Sequence, residues 1–280
     1  MHLRLGVRIL DLDQPRVMGI LNVTPDSFSD GGRYHDRDVA LRHAGAMLAA
    51  GASIIDVGGE STRPGAAAIA ADEEEDRVIP VIEAIAREMD VAISVDTSKA
   101  CVMRTAVAAG ASLINDVYAL RLDGSLQAAA KLDAAVCLMH MQGSPATMQS
   151  NPHYENIPGD IIAFLEERIA ACHAAGIDAS RLLVDPGFGF GKTDQQNLEL
   201  LHNLQQLGSL GSPLLVGLSR KRLLGSLTGR TTDNRVSAGV AAAVMAVERG
   251  ARIIRTHDVA QTVDALRVAQ AVLEAGQTHG

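Results

Sequence analysis

The chain has 280 residues, 47% hydrophobic and 21% charged, an ordinary globular balance that excludes disorder. A formal net charge of −8 argues against a nucleic-acid partner, which needs a clustered basic face, but leaves room for a small anionic substrate bound by local charge in a cleft. Residues 1–10 lack a signal layout, no apolar run reaches about 18 residues, and the scattered Cys101, Cys137 and Cys172 read as buried reduced thiols, so a cytoplasmic protein with no membrane partner is expected.

Along the chain, short β-rich runs alternate with amphipathic helical runs. Residues 3–12 read as an extra strand pair, within an N-terminal β segment (1–16) that plugs the bottom of a barrel. Strand 17–22 precedes helix 36–50, strand 53–58 precedes helix 73–89, and strand 92–96 precedes helix 99–109. Strand 113–117 and helix 125–131 follow, then strand 135–139 with helix 160–175 and strand 182–185 with helix 194–207. Strand 214–218 leads to a longer helical stretch within 220–249, and strand 252–256 to helix 259–275. Eight strand–helix pairs predict a single α/β domain over 1–280, a (β/α)8 TIM barrel with a short N-terminal β extension; such a barrel needs about 250 residues. A doubly wound open sheet is the alternative, but no glycine-rich dinucleotide turn follows the first strand.

The joints between elements are lopsided. Helix-to-strand joints are tight, with Gly51, Gly110, Gly176, Gly208 and Gly250 at expected helix C-caps. Strand-to-helix joints at 23–35, 59–72, 140–159 and 186–193 are long, which gathers long loops at the end of the barrel that carries chemistry. The few aromatics, Phe28, Tyr34, Tyr118, Tyr154, Phe188 and Phe190, also fall in segments after strands, and only Phe164 falls in a helix. These rings either stack on something flat or pin the loops to the barrel.

Polar residues recur where strands end: Asn22, Asp96, Asn115, Asp185, Lys221, Arg255 and His257. Asp96, Asn115 and Asp185 offer acceptors and an amide donor suited to a heterocycle with several N–H groups, such as an aminopyrimidinone. Arg255, His257 and Asn22 suit phosphate oxygens, directly or through a metal. The run Gly187–Thr193 resembles a P-loop, but Pro186 stands where its first glycine belongs, and no H-E-x-x-H or C-x-x-C suggests zinc.

The run from Leu21 to Gly32 (LNVTPDSFSDGG) and the run from Asp56 to Gly65 (DVGGESTRPG) resemble the two signatures of the dihydropteroate synthase family. Ser94–Thr97, Ile114–Asp116, Met139–Gly143, Asp185–Lys192, Gly217–Lys221 and Arg255–Asp258 extend the resemblance from the first strand to the eighth. It implies a transferase of folate biosynthesis that joins 6-hydroxymethyl-7,8-dihydropterin diphosphate to 4-aminobenzoate, releasing diphosphate, by a dissociative displacement. It places the pterin on Asp96, Asn115, Asp185 and Lys221, and the diphosphate near Asn22, Thr62, Arg255 and His257, with Mg2+ on Asn22. The 4-aminobenzoate falls to Phe28, Arg63, Pro64, Phe190, Ser219 and Lys221, a site that sulfonamides target in the family. Asp30, Arg63, Lys221, Arg255 and His257 form the implied catalytic set, Asp30 stabilising the cation unless it is only a turn residue before Gly31.

One position departs from the commonest family pattern. Arg222 stands where many members have a serine that meets the benzoate carboxylate, so that carboxylate uses Arg222 itself or backbone N–H groups at the helix start, unless Arg222 is only an exposed helix-start residue. Family members are commonly homodimers, and the Ala-rich segment 237–247 is either an interface or core packing. A methyltetrahydrofolate methyltransferase would keep the pterin carboxylates but have no use for the two signature loops, a non-catalytic pterin-binding paralogue has no use for Asp30, Arg63, Lys221 and Arg255, and a Schiff-base aldolase needs its lysine in an apolar interior.

Overall fold

The computed structural model describes residues 1–24, 32–61 and 68–277, apart from the side chains of 32–36 and 276–277. Strands β1 (His2–Leu5) and β2 (Arg8–Asp11) form an antiparallel hairpin. Eight parallel strands then close into a barrel: β3 (Arg16–Asn22), β4 (Ile54–Gly58), β5 (Ala92–Asp96), β6 (Leu113–Asp116), β7 (Ala135–Met139), β8 (Leu182–Asp185), β9 (Leu214–Val216) and β10 (Ala251–Thr256), with β10 pairing back to β3. Around it lie α1 (Gly32–Ala49), α2 (Ala71–Glu88), α3 (Ala100–Ala108), α4 (Ser125–Lys131), α5 (Ile157–Ala174), α6 (Asp194–His202), α7 (Arg222–Thr228), α8 (Val236–Glu248) and α9 (Val259–Gln277). The closed barrel is the expected architecture; the open sheet is excluded.

Alternation along the strands explains the packing. One side-chain parity, including Val17, Leu21, Ile55, Val57, Ile93, Val95, Ile114, Val136, Val184 and Val216, packs outward in the large core shared with the helices. The other parity faces inward: Met18, Ile54, Ala92, Leu113, Ala135, Cys137, Leu183, Leu215 and Ile253 form a second cluster with Leu3, Leu5 and Leu12. The hairpin's leucines thus close the amino-terminal end of the barrel, so that end is apolar and filled.

Local chemistry moves some boundaries. The single helical stretch expected within 220–249 is two helices, because Gly229 adopts a left-handed φ of 67° and ends α7. Helix α6 stops at His202, and Leu204–Leu210 continues as a 3₁₀ turn. Gly208 lies inside that turn rather than at a cap; Gly211, at φ 68°, makes the left-handed exit. Cys137 and Cys172 are buried as expected, whereas Cys101 is partly exposed. Tyr34 falls inside α1 rather than in the loop before it. Among the described residues no helix is long and apolar enough to cross a membrane.

Leu3 is fully buried at the barrel floor and Val7 is 98% exposed at the hairpin tip. Leu3→Ala should lower unfolding free energy by about 2–5 kcal/mol, and Val7→Ala should leave it within about 0.5 kcal/mol, both measured by urea denaturation.

Candidate active site

Two residues beyond the apolar floor, the inward parity changes character. Asp56, Ser94, Asn115, Asp185 and Arg255 each lie two positions after Ile54, Ala92, Leu113, Leu183 and Ile253, and Asp96 lies two further on. The barrel is therefore a well with a greasy bottom and a charged wall, open at the carboxyl ends of the strands.

Arg255 ties the wall together. Its Nε donates to Asp56 Oδ2 at 2.6 Å and a terminal nitrogen donates to Asp96 Oδ2 at 2.7 Å, while Asn115 Nδ2 donates to the same Asp56 oxygen at 3.2 Å. Burial opposes the charge on Arg255, but Asp56 and Asp96 outweigh it and push its pKa above the ordinary guanidinium value. Burial pushes Asp96 up to about 7, with Asp56 and other carboxylates adding to the rise and Arg255 opposing it. The buried Asp56 Oδ1 and Ser94 Oγ, on residues in register, have no hydrogen-bond partner among the described residues.

Across the well, Asp185 is raised by burial, against the pull of the Gly187 N–H (2.7 Å to its Oδ1) and of Lys221. Burial, aided by Arg255, lowers Lys221 to about 8 against Asp185 and Asp96, and its Nζ stands 4.2 Å from the Phe190 ring centre. Phe190 and Tyr118 pack on Val117, Met139, Met141 and Met148, an apolar shelf beside the charged wall. The aromatics divide: Phe188 is buried in the helix-facing core, and Tyr154 is a pin whose hydroxyl donates to Gly191 O at 2.8 Å.

In the pair Asn115-Asp116, only Asn115 faces the well. Asp116 accepts the backbone N–H groups of Tyr118 and Leu120, each at 2.8 Å, and the Ser98 hydroxyl. It so stabilises a turn in which Ala119 and Leu120 hold left-handed φ values of 53° and 57°.

At the rim, Asn22 ends β3 opposite Gly58, which lies between it and Asp96: a Cβ on Gly58 would stand 3.8 Å from Asn22 Oδ1 and 3.4 Å from Asp96 Cβ. His257 follows β10, with Nδ1 3.1 Å from Ser219 Oγ, and its own backbone N–H donates to that oxygen at 3.2 Å. Burial, with Arg220 and Arg255 nearby, lowers His257 to about 4, so the ring is neutral at pH 7. The Ser219 hydroxyl thus lies between His257 Nδ1 and Asp258 Oδ2, to which it donates at 3.5 Å, and the neutral ring carries one N–H.

Arg222 begins α7 but is not brought to the well: its side chain is 70% exposed and donates to Asp194 at 3.3 Å. Phe28, Asp30, Thr62, Arg63 and Pro64 lie outside the described residues, with the rest of 25–31 and 62–67 in the two signature loops. Two groups went unassigned in the sequence reading. Asp56 sits mid-strand, flagged only by sharing its parity with Ile54 and Gly58. Lys99 pairs with Glu60 and the buried Glu74 beneath the loop after β4, linking residues too far apart in sequence to suggest a pair.

The family model described as "Pterin binding enzyme" matches residues 18–257. The dihydropteroate synthase of Escherichia coli K12 is 53% identical over 266 residues, covering 95% of this chain and 94% of that protein. A Yersinia pestis dihydropteroate synthase in a sulfonamide drug complex superposes with a TM-score of 0.94 at 53% identity, covering 98% of this chain and all of that one. A Xanthomonas albilineans dihydropteroate synthase in complex with 7,8-dihydropteroate gives 0.87 at 47% identity, with coverage of 97% and 98%. With its closed barrel, charged well and near-complete alignment, the chain belongs to the pterin-binding enzyme family and, within it, to the dihydropteroate synthases.

Proposed function

We propose that the well condenses 6-hydroxymethyl-7,8-dihydropterin diphosphate with 4-aminobenzoate, giving 7,8-dihydropteroate and diphosphate in folate biosynthesis. The observation that carries this reading is the buried Asp56–Arg255–Asp96 array facing Asn115, Asp185 and Lys221 across one barrel mouth. Carboxylates at that depth are costly unless a ligand or a buried cation meets them. A 2-amino-pyrimidinone edge offers Asp185 and Asp96 parallel N–H donors, while Lys221 and the Asn115 amide meet its carbonyl and ring nitrogen.

Arg255 spends two of its five N–H bonds on Asp56 and Asp96, so others face the diphosphate oxygens. Neutral His257 adds a ring N–H, and the family resemblance assigns Thr62 to the same group. The departing diphosphate gathers negative charge, which these donors stabilise without reorganisation. The pterin delocalises the positive charge left on the reacting methylene, with Asp30 beside it, so diphosphate leaves before the amine attacks. The aniline nitrogen is uncharged at neutral pH and needs no strong base. Phe28, Arg63, Pro64, Phe190, Ser219 and Lys221 hold the 4-aminobenzoate, and the loops 23–35 and 59–72 close over it to exclude water. Because Arg222 turns to Asp194, the benzoate carboxylate is left to backbone N–H groups at the start of α7.

No group of three or more His, Cys, Asp or Glu is arranged to hold a metal among the described residues. One hard amide oxygen, Asn22 Oδ1 near Asp96, instead fits Mg2+ shared with the diphosphate and water, a cation that commonly keeps several waters. Bound there, Mg2+ would supply positive charge to the leaving group. We further place the protein in the cytoplasm as a homodimer, with Met245 on α8 and Val268 and Val272 on α9 as exposed apolar residues available for pairing.

Dihydropteroate formation, with steady-state diphosphate release, should require both 4-aminobenzoate and Mg2+; no diphosphate with all components present would favour a non-catalytic pterin binder. Asp185→Ala should weaken pterin binding about tenfold or more by calorimetry, as loss of one charge-assisted hydrogen bond costs about 1.5–3 kcal/mol. The pH profile follows from two signs. Asp96 becomes an acceptor as pH rises through about 7, and Lys221 loses its ammonium as pH rises through about 8. The kcat/KM for the pterin substrate should therefore peak between those values and fall on both sides. Lys221→Met should abolish the basic limb; a limb that persists in this variant assigns it to another group.

A further inference from the structure

We propose that Lys192 is a positioning residue whose buried ammonium pins the loop after β8 to the loop after β7, holding the Phe190 ring against Lys221. The consequence for 4-aminobenzoate rests on the functional reading above; the pin itself rests on geometry alone. In the sequence Lys192 ends a glycine-rich run that resembles a phosphate loop, where a lysine would reach an anion. In the fold it is 1% exposed. Its Nζ lies 2.9 Å from Gly187 O, 3.1 Å from Phe190 O and 3.0 Å from His140 Nδ1. Burial lowers Lys192 to about 7 against the pull of Asp185; in its charged form all three N–H bonds go to these acceptors, which leaves none for a phosphate.

Those acceptors come from two loops. His140 follows β7, while Gly187 and Phe190 follow β8. The loops touch backbone to backbone: Gly187 has a φ of 71°, and a Cβ there would stand 1.9 Å from His140 O. No side chain fits between them at that point; Lys192 joins them from the side, alongside the Tyr154 hydroxyl on Gly191 O and the Gln149 amide on Gly189 O. Burial lowers His140 to about 2, with Lys192 adding to the effect, so the ring is neutral and offers the Nδ1 lone pair. Its plane is fixed by Phe164, 4.9 Å away edge-on, and by Tyr154 at 5.9 Å. Without the ammonium, two carbonyls and a ring nitrogen would be buried acceptors lacking that donor, a state costly enough to let the loops part.

Phe190 would feel the parting first, since its own carbonyl is a Lys192 partner and its ring sits on the methionine shelf. Asp185 would feel it less, because it rides on β8 in register with Met139 of β7. The hold of Lys192 on structure therefore falls on the Phe190 half of the well, while Asp185 feels its charge, which lowers that carboxyl.

The test uses full-length Lys192→Met, which keeps the length of the side chain and removes the charge. Amide exchange at Gly189 and Phe190 should rise about tenfold or more, with Val184 in β8 unchanged. The KM for 4-aminobenzoate should rise about tenfold while the Kd for the pterin, by calorimetry, stays within about twofold. His140→Phe, which keeps a ring and removes one acceptor, should shift the same two readouts less, and it decides the matter if Lys192→Met does not fold. Unchanged exchange and KM would show that Lys192 only fills space, and a pterin Kd that rises with KM would show a general disruption; either overturns the proposal. If the wild-type protein makes no dihydropteroate, the functional reading fails while the exchange experiment still judges the pin.

Discussion

A strand turns successive side chains to opposite faces, and a closed barrel makes one of those faces an interior. Every later feature of this molecule depends on that constraint. Moving two residues along five of the strands changes the interior from Ile54, Ala92, Leu113, Leu183 and Ile253 to Asp56, Ser94, Asn115, Asp185 and Arg255. The register is staggered, with Ser94 opposite Leu113 and Arg255 opposite Met18, yet the long Arg255 side chain reaches Asp56 and Asp96 and gathers the charge into one well. The helices supply the outer core and contribute little to that well.

Concentrated charge in a narrow space has its own logic. Loss of hydration raises Asp96 and Asp185, neighbouring Asp56 adds to the rise of Asp96, and the same carboxylates strengthen the hold on Arg255. Lys221 is lowered by burial first and by Arg255 second, against Asp185 and Asp96. The wall is thus populated by groups whose protonation a ligand can change cheaply, around one cation whose charge is fixed. Neutral His257, set by Ser219, adds a donor without adding to the charge.

How much of this was legible in the sequence depended on where each residue fell relative to a strand end. Asp96, Asn115, Asp185 and Arg255 break apolar runs near their ends, so both barrel and wall were visible. Asp56 was hidden because Ile54, Ile55 and Val57 surround it and mask the alternation. Lys192 was legible only as part of a failed motif, since its three partners meet through a contact between two loops far apart in sequence. The break between α7 and α8 was missed because a glycine inside an apolar stretch is tolerated in helices, and only its left-handed φ reveals the stop. Arg222 was read from its place in a pattern, whereas Asp194, on another helix, decides where it points.

The hairpin at the floor has a consequence for traffic. With Leu3, Leu5 and Leu12 sealing the amino-terminal end, the barrel is a blind shaft rather than a tunnel. Asn115 and Asp185 lie at its depth, nearly inaccessible, while Phe190 and Lys221 stand partly open at the lip. A molecule resting on the deep pair enters before one resting at the lip and leaves after it, as in any one-ended queue. That single entrance follows from an apolar floor shared by the barrel's own Met18, Ile54 and Leu183 and the three leucines beneath them.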